Sequence, residues 1–361
     1  MLAAIFAAQA WTRAMRASGN DLTTYLAAAR AFWDGLNPYL VNAPFPFIYP
    51  LFLCVAIWPF ALLPYGVAVG AWYLLAVLAL ASATAPLRTL ARAVPDSRQW
   101  LVATAIVALA FADVLQNNLV NGQVNPVVLA LCVAFAWLHA RGRRLAAGAA
   151  LGAAIAIKIT PAILLLYLVK RQDWRTVAWT VGAMLACGVV LPYLVAGPSI
   201  WNEYYHYAQT FLTDRLVDSA EIVSHRRAFG LVEVVRQLTG SALAADIWIA
   251  AAVVAVALWF VDRVDRAHAF ALYLAASLLI SPMSEVHHLI YLWPALVLLT
   301  GEALDGRLTA RSTIGLMAVL IAALAIRHVP FAAFVAVAGT CLLIGGQTGV
   351  RRGSDSAPTP V

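Results

Sequence analysis

Residues 145–169 read LAAGAALGAAIAIKITPAILLLYLV, and the way this stretch is threaded decides where every other segment lies. It is long enough to cross a bilayer, which takes about 20 apolar residues. Yet Lys158 and Pro161 interrupt it, and a broken helix at membrane depth is tolerated only where protein or a polar cavity covers it. Arg141, Arg143 and Arg144 precede the stretch, and Lys170, Arg171 and Arg175 follow it. Positive residues mark the cytoplasmic side of a membrane protein. Both flanks therefore share one face if the segment enters and returns, and fall on two faces if it spans. Phe47–Leu63, bracketed by Pro44, Pro46, Pro50, Pro59 and Pro64, poses the same question. If both stretches span, the remaining basic links (Arg88/Arg92/Arg98, Arg263/Arg266, Arg307/Arg311, Arg351/Arg352) are divided between the faces. If Phe47–Leu63 lies along the outer surface and residues 145–169 re-enter, every basic link is cytoplasmic. The second arrangement is the expectation.

Composition agrees with a membrane protein. The 361 residues are 63% hydrophobic and 11% charged, with mean hydropathy +0.83, where a soluble domain carries about a quarter charged residues. The net charge of +7 comes from arginines in short links, so it reports orientation and contact with anionic lipid rather than nucleic-acid binding. Cys54, Cys132, Cys187 and Cys341 lie far apart in apolar segments without metal-ligand spacing, as small buried hydrophobes do. No P-loop, dinucleotide-binding glycine fingerprint or Asp-x-Asp pair is present, which argues against nucleotide-sugar chemistry of the soluble kind; no metal is expected.

Further spans are expected near 1–15, 67–86, 100–116, 126–140, 176–197, 242–261, 267–281, 288–300, 313–327 and 330–346. The first reads as a clipped helix rather than a signal peptide, because no basic n-region precedes it. One membrane domain over 1–350 follows, with outer loops at about 12–65 and 197–241 and a disordered cytoplasmic tail at 351–361. The first loop opens as an amphipathic interfacial helix, with Leu22, Tyr25, Leu26, Ala29, Phe32 and Trp33 at helical spacing. Trp201, Tyr204, Tyr205 and Tyr207 give the second loop an aromatic cluster suited to the membrane boundary.

The polar residues outside the links then fall on the outer face. Asp21 follows the first span and would stand at the headgroups; Asn-Asp before a helix is also an ordinary cap, but Asn20 can fill that role and free Asp21. Gln123 and Asn125 occupy a tight outer link after Asn121-Gly122, whose bland reading is turn chemistry. Lys158 is the lone ionisable group of its stretch, paired with a phosphate or Asp113 if it is not merely structural. Glu285, His287 and His288 lie between two spans; adjacent histidines diverge, which disfavours a metal site, and helix-end histidines facing headgroups are the competing reading. Arg226 and Arg227 stand against the positive-inside trend, suited to a lipid phosphate or to anionic headgroups in general.

Several of these residues carry a resemblance. Asp21-x-x-x-Tyr25, Ala28-Ala29, Gly35-x-Asn37-Pro38-Tyr39, Tyr49-Pro50-Leu51, Gly122-Gln123-x-Asn125, Ala156-Ile157-Lys158-x-x-Pro161 and Ser281-Pro282 followed by His287-His288 resemble, in order, the bacterial polyprenol-phosphate-mannose-dependent mannosyltransferases of family GT87. The short first helix departs from that pattern. The resemblance implies an all-α polytopic membrane protein of GT-C type, with about 10–12 transmembrane or re-entrant helices and a site facing the periplasm or cell exterior. It implies a polyprenyl-phosphate sugar donor, a lipid-linked or cell-envelope acceptor, no further cofactor, Asp21 as catalytic base and His287 or His288 assisting. Tyr25, Gln123, Asn125, Lys158, Arg226, Arg227 and Glu285 are then candidate substrate-binding residues, since amides suit sugar hydroxyls and cations suit the departing phosphate. The expectation is transfer of a mannosyl residue with inversion. Rivals are a related transferase moving another sugar such as arabinose, a lipid or solute transporter, which should show paired broken helices in two halves, and a scaffold subunit indifferent to Asp21.

Overall fold

The computed structural model describes residues 2–16, 19–91, 96–210, 229–231, 244–281, 284–326 and 330–346, and among them there is helix but no strand. The helices are α1 (Leu2–Ala14), α2 (Asp21–Trp33), α3 (Phe52–Ala61), α4 (Tyr65–Leu90), α5 (Ser97–Ala110), α6 (Ala112–Val120), α7 (Asn125–Ala140), α8 (Arg144–Ile157), α9 (Ile163–Lys170), α10 (Trp174–Leu185), α11 (Leu191–Thr210), α12 (Ala244–Val261), α13 (Arg266–Ile280), α14 (Trp293–Leu304), α15 (Ala310–Ala325) and α16 (Pro330–Gly346).

Residues 145–169 fold back on themselves. Helix α8 ends at Lys158, whose backbone is extended, Thr160–Ala162 form one 3-10 turn, and α9 returns. The two flanks meet at Asp173, whose carboxylate lies 3.0 Å from His139 Nε2 and 3.2 Å from Arg144 Nε. The basic links on either side of the hairpin thus share one end of the molecule. Leu90, Lys170, Arg171, Arg263 and Arg266 line a common cavity there, and His268 at the start of α13 faces Glu302 at the end of α14. Close helix approach holds the hairpin against α10: a Cβ at Gly152 would stand 2.6 Å from Ala183 Cβ and 2.7 Å from the Thr180 carbonyl oxygen, so only glycine fits.

Among the described residues two stretches, Tyr65–Leu90 (α4) and Trp174–Ser199 (α10, continued through a π-helical turn into the start of α11), are long and apolar enough to cross a membrane, and the shorter apolar helices run 10–17 residues. The span expected at 100–116 breaks at Phe111, where α5 and α6 meet at 72°, because the more polar ADVLQNNLV turns away toward the polar end. The span expected at 288–300 begins as a 3-10 turn, Val286–Leu292, before Pro294 opens α14. Phe47–Leu63 contains only the ten-residue α3, too short to cross.

The interfacial helix expected at the start of the first loop is a packed element instead. Leu22, Thr24, Tyr25, Leu26, Ala28, Ala29 and Phe32 of α2 are all buried, since α3 covers one side and the Asn117–Asn125 link another. Thr24 exchanges hydrogen bonds with the Phe45 backbone, while Trp33 is exposed and stacks on Trp58 with centroids 4.7 Å apart. The second-loop aromatics also have a protein partner: Tyr39 stacks on Tyr207 at 4.1 Å and on Tyr204 at 5.9 Å. Arg226, Arg227 and the tail lie outside the described residues.

Candidate active site

The polar end is built from four stretches distant in sequence: the start of α2, the α6–α7 link, the break after α8, and the Ser284–Leu292 turn. Asn20 caps α2, its side chain accepting from the Thr23 N–H in a reciprocal capping box. Asp21, freed from that duty, sits in the first turn, where the helix dipole favours a carboxylate. Its own N–H donates to the Asn121 carbonyl at 3.1 Å, and Asn20 Nδ2 donates to Val120. These bonds lock α2 onto the α6–α7 link. Gly122 turns that link with φ +66, and a Cβ there would stand 2.8 Å from Leu22 Cβ; φ and space both demand glycine.

The inner part of this end is a layer of buried neutral groups. Tyr25 donates to Tyr49 at 2.8 Å and to Gln123 Oε1 at 3.3 Å. Asn125, fully buried, accepts from Lys158 at 2.7 Å and Tyr291 at 3.2 Å while donating to Asn118 at 3.1 Å. Asn118 in turn donates to the His287 carbonyl at 2.8 Å. Buried amides satisfied on several sides make a rigid platform.

In front stand the half-buried titratable groups Asp21, Lys158, Glu285 and His287. Lys158 Nζ lies 2.7 Å from His288 Nε2 and 5.5 Å from the Tyr49 ring centroid. The Glu285 N–H donates to His288 Nδ1 at 2.9 Å, which fixes the ring with its other nitrogen toward the lysine. The two histidine rings are 4.1 Å apart, and His287 Nδ1 is 3.7 Å from Glu285 Oε2. Lys158 therefore takes Asn125 and His288 as neighbours where a phosphate or Asp113 had been expected. Among the described residues no three His, Cys, Asp or Glu side chains gather as a metal-ligand set.

Asp21 differs from every other member: among the described residues no side chain donates a hydrogen bond or ion pair to its carboxylate. Asp21 lies outside the spans, and burial pushes its carboxyl from 3.8 up to about 7, Glu285 adding to the shift while Lys158 and Arg13 oppose it. A carboxylate poised near neutrality can take a proton from a substrate hydroxyl.

The structure thus brings together Asp21, Tyr25, Gln123, Asn125, Lys158, Glu285, His287 and His288. Sequence reading passed over Tyr49, Asn118 and Tyr291, which complete the buried layer. Tyr49 stood within the Tyr49-Pro50-Leu51 motif without a role of its own; Asn118 lies just before the link that holds Gln123 and Asn125, and Tyr291 was hidden inside an apolar run. It also passed over Arg13 and Arg16, which line a cavity of about 310 Å3 with Gln9, Thr12 and Gln116 between α1 and α6. Phe229, two residues after Arg227, is buried with its N–H bonded to the Ser284 carbonyl at 3.0 Å.

The sequence profile of glycosyltransferase family 87 matches residues 47–282. A polyprenol-phosphate-mannose-dependent alpha-(1-2)-phosphatidylinositol mannoside mannosyltransferase of Mycobacterium tuberculosis is 30% identical over 305 residues, covering 77% of this chain and 69% of that protein. The enzyme of the same name from Mycolicibacterium smegmatis is 28% identical over 311 residues, covering 77% and 68%. Among solved structures, ArnT from Cupriavidus metallidurans bound to undecaprenyl phosphate aligns at 16% identity over 96% of this chain and 77% of that one, with TM-score 0.40. The profile match over most of the chain, together with these relatives, establishes that the chain belongs to glycosyltransferase family 87 and is a membrane glycosyltransferase.

Proposed function

We propose that this enzyme transfers a mannosyl residue from a polyprenyl-phosphate donor to a lipid-linked or cell-envelope acceptor, with inversion, and that Asp21 is the base. The observation that carries the reading is the half-buried Asp21 carboxyl, without a side-chain hydrogen bond or ion pair among the described residues, in the electrostatic reach of Lys158 and Glu285 and with its proton affinity raised to about 7. The donor class follows the names of the two mycobacterial relatives. The fold would be of the GT-C kind, and the gathering of the basic links at the opposite end supports a site on the outer face by the positive-inside rule.

In the proposed reaction the acceptor hydroxyl loses its proton to Asp21 as its oxygen attacks the anomeric carbon. The bond from that carbon to the phosphate oxygen breaks on the opposite side, and the electron pair leaves with polyprenyl phosphate. Lys158 and the His288 ring stand ready to stabilise the charge that develops on that oxygen; Arg13 and Arg16 offer further cations in the cavity between α1 and α6, and Arg226 and Arg227 precede a segment anchored at Ser284. Tyr25, Gln123 and Asn125 act from behind, by holding the front residues in place. No metal or other cofactor is invoked, because the phosphate leaving group supplies the driving force.

The test is transfer from labelled polyprenyl-phosphate mannose in membranes containing wild type or Asp21→Asn. Asparagine keeps the size and the place in the first helical turn. The reading expects wild-type transfer and a loss of about 10²–10⁴-fold in the variant. Equal activity in the two would remove Asp21 as base, and transfer from polyprenyl-phosphate arabinose alone would replace the donor sugar.

A further inference from the structure

At the end of the helices away from Asp21 lies a second cavity, of about 630 Å3, lined by Leu90, Lys170, Arg171, Asp262, Arg263, Val264, Asp265, Arg266 and Ala267. Helix α13 spans 15 residues, so about 22 Å separates this cavity from Ser281 at the other end of that helix. It plays no part in the chemistry above.

Both carboxylates in its wall are already committed. Asp262 is buried and takes both ends of the Arg171 guanidinium, at 2.7 and 3.1 Å. Asp265 caps α13 through the N–H groups of Ala267 and His268, at 3.1 and 3.2 Å, and holds His268 Nδ1 at 2.8 Å. Lys170 bonds the Trp259 carbonyl and lies over the Trp259 ring, 4.5 Å from its centroid. The exposed Arg263 and Arg266 have no hydrogen-bond or ion-pair partner for their guanidinium groups among the described residues. The cavity therefore presents two uncommitted guanidinium groups beside an ammonium, an arrangement suited to phosphate oxygens.

One wall continues into an apolar face. Ile249, Val253, Val256 and Phe260 are exposed along α12 at helical spacing, and the face ends at Trp259 and the cavity mouth. A free phosphate has no use for that stripe, whereas an acyl chain does.

We infer that this cavity binds the phosphate headgroup of an anionic membrane lipid, with Arg263 and Arg266 holding the phosphate and α12 receiving a chain. Full-length protein purified in detergent is titrated with dioleoyl-phosphatidylglycerol, with dioleoyl-phosphatidylcholine and with inorganic phosphate, and bound lipid is counted by native mass spectrometry. Wild type should bind phosphatidylglycerol saturably and in preference to phosphatidylcholine. Arg263→Gln/Arg266→Gln should bind it about 25-fold more weakly, roughly fivefold for each cation lost near the membrane surface. Arg143→Gln/Arg311→Gln, which removes the same charge from exposed links outside the cavity, should leave binding unchanged. Val256→Ser/Phe260→Ser keeps every cation and should weaken lipid binding alone. Equal loss in the two arginine pairs would reduce the effect to general surface charge and overturn the site. Displacement of the lipid by equimolar inorganic phosphate would overturn its assignment to a lipid.

Discussion

The two ends of this molecule handle charge in opposite ways. At the basic end three carboxylates are matched locally: Asp262 with Arg171, Asp265 with His268, Asp173 with His139 and Arg144. At the polar end Asp21 receives no such match among the described residues, although Lys158, Glu285 and Arg13 stand close enough to influence it. A buried or half-buried carboxylate without a partner costs stability, and a fold that pairs Asp262, Asp265 and Asp173 at its other end leaves this one without a side-chain partner among the described residues, where a substrate proton would arrive. Charge at one end holds helices together; at the other it is kept available.

The contrast can be broken by substitution. After Asp21→Asn, the largest effect on transfer should come from Lys158→Met. Loss of the amino group beside the departing phosphate should lower kcat by about 10²–10³-fold, and unchanged kcat would move that role to the arginines. At the basic end the response should be the reverse. Asp262→Ala strands the Arg171 guanidinium and should cost about 3 kcal/mol of stability, seen as a lower midpoint in thermal unfolding, while transfer per folded molecule holds. Gly152→Leu, which drives a side chain into Ala183 and the Thr180 carbonyl, should cost about 1–3 kcal/mol through overpacking, again without a change in kcat for the folded fraction. The smallest effect belongs to the α2 cap: Asn20→Ala should cost about 1 kcal/mol, and any larger fall in transfer would show how far the cap also orients Asp21.

Much of this contrast was legible in the sequence. The hairpin at residues 145–169 followed from Lys158, Pro161 and the arginines on both flanks, and the structure joins those flanks through Asp173. Asn20 could be named as the cap because Asx residues at helix starts have few other duties. What escaped was set by tertiary contact. The burial of Thr24 depends on the Phe45 backbone, twenty-one residues later, and no periodicity in α2 encodes it. The bend at Phe111 arises where an apolar helix continues into ADVLQNNLV without a proline or glycine to announce it. Tyr291 lies within an apolar run, and its hydroxyl matters only because Asn125 lies 3.2 Å away.

Asp21, without a side-chain partner among the described residues, is available as a base near neutrality, and the pH dependence of kcat/KM for mannosyl transfer should report its titration. A base must be deprotonated, so the rate should climb about tenfold per pH unit on the acid side and level off above about 7, the value to which burial raises this carboxyl. The same shift has a stability signature with a defined sign. The folded state holds the proton more tightly than the unfolded chain, so stability is lost as pH rises from 3.8 through about 7, and Asp21→Asn should unfold no more readily than wild type at pH 8. A kcat/KM profile that bends near 7 in the wild type is the predicted result. A profile flat from pH 5 to 9, or one whose bend survives in the residual activity of Asp21→Asn, would contradict it.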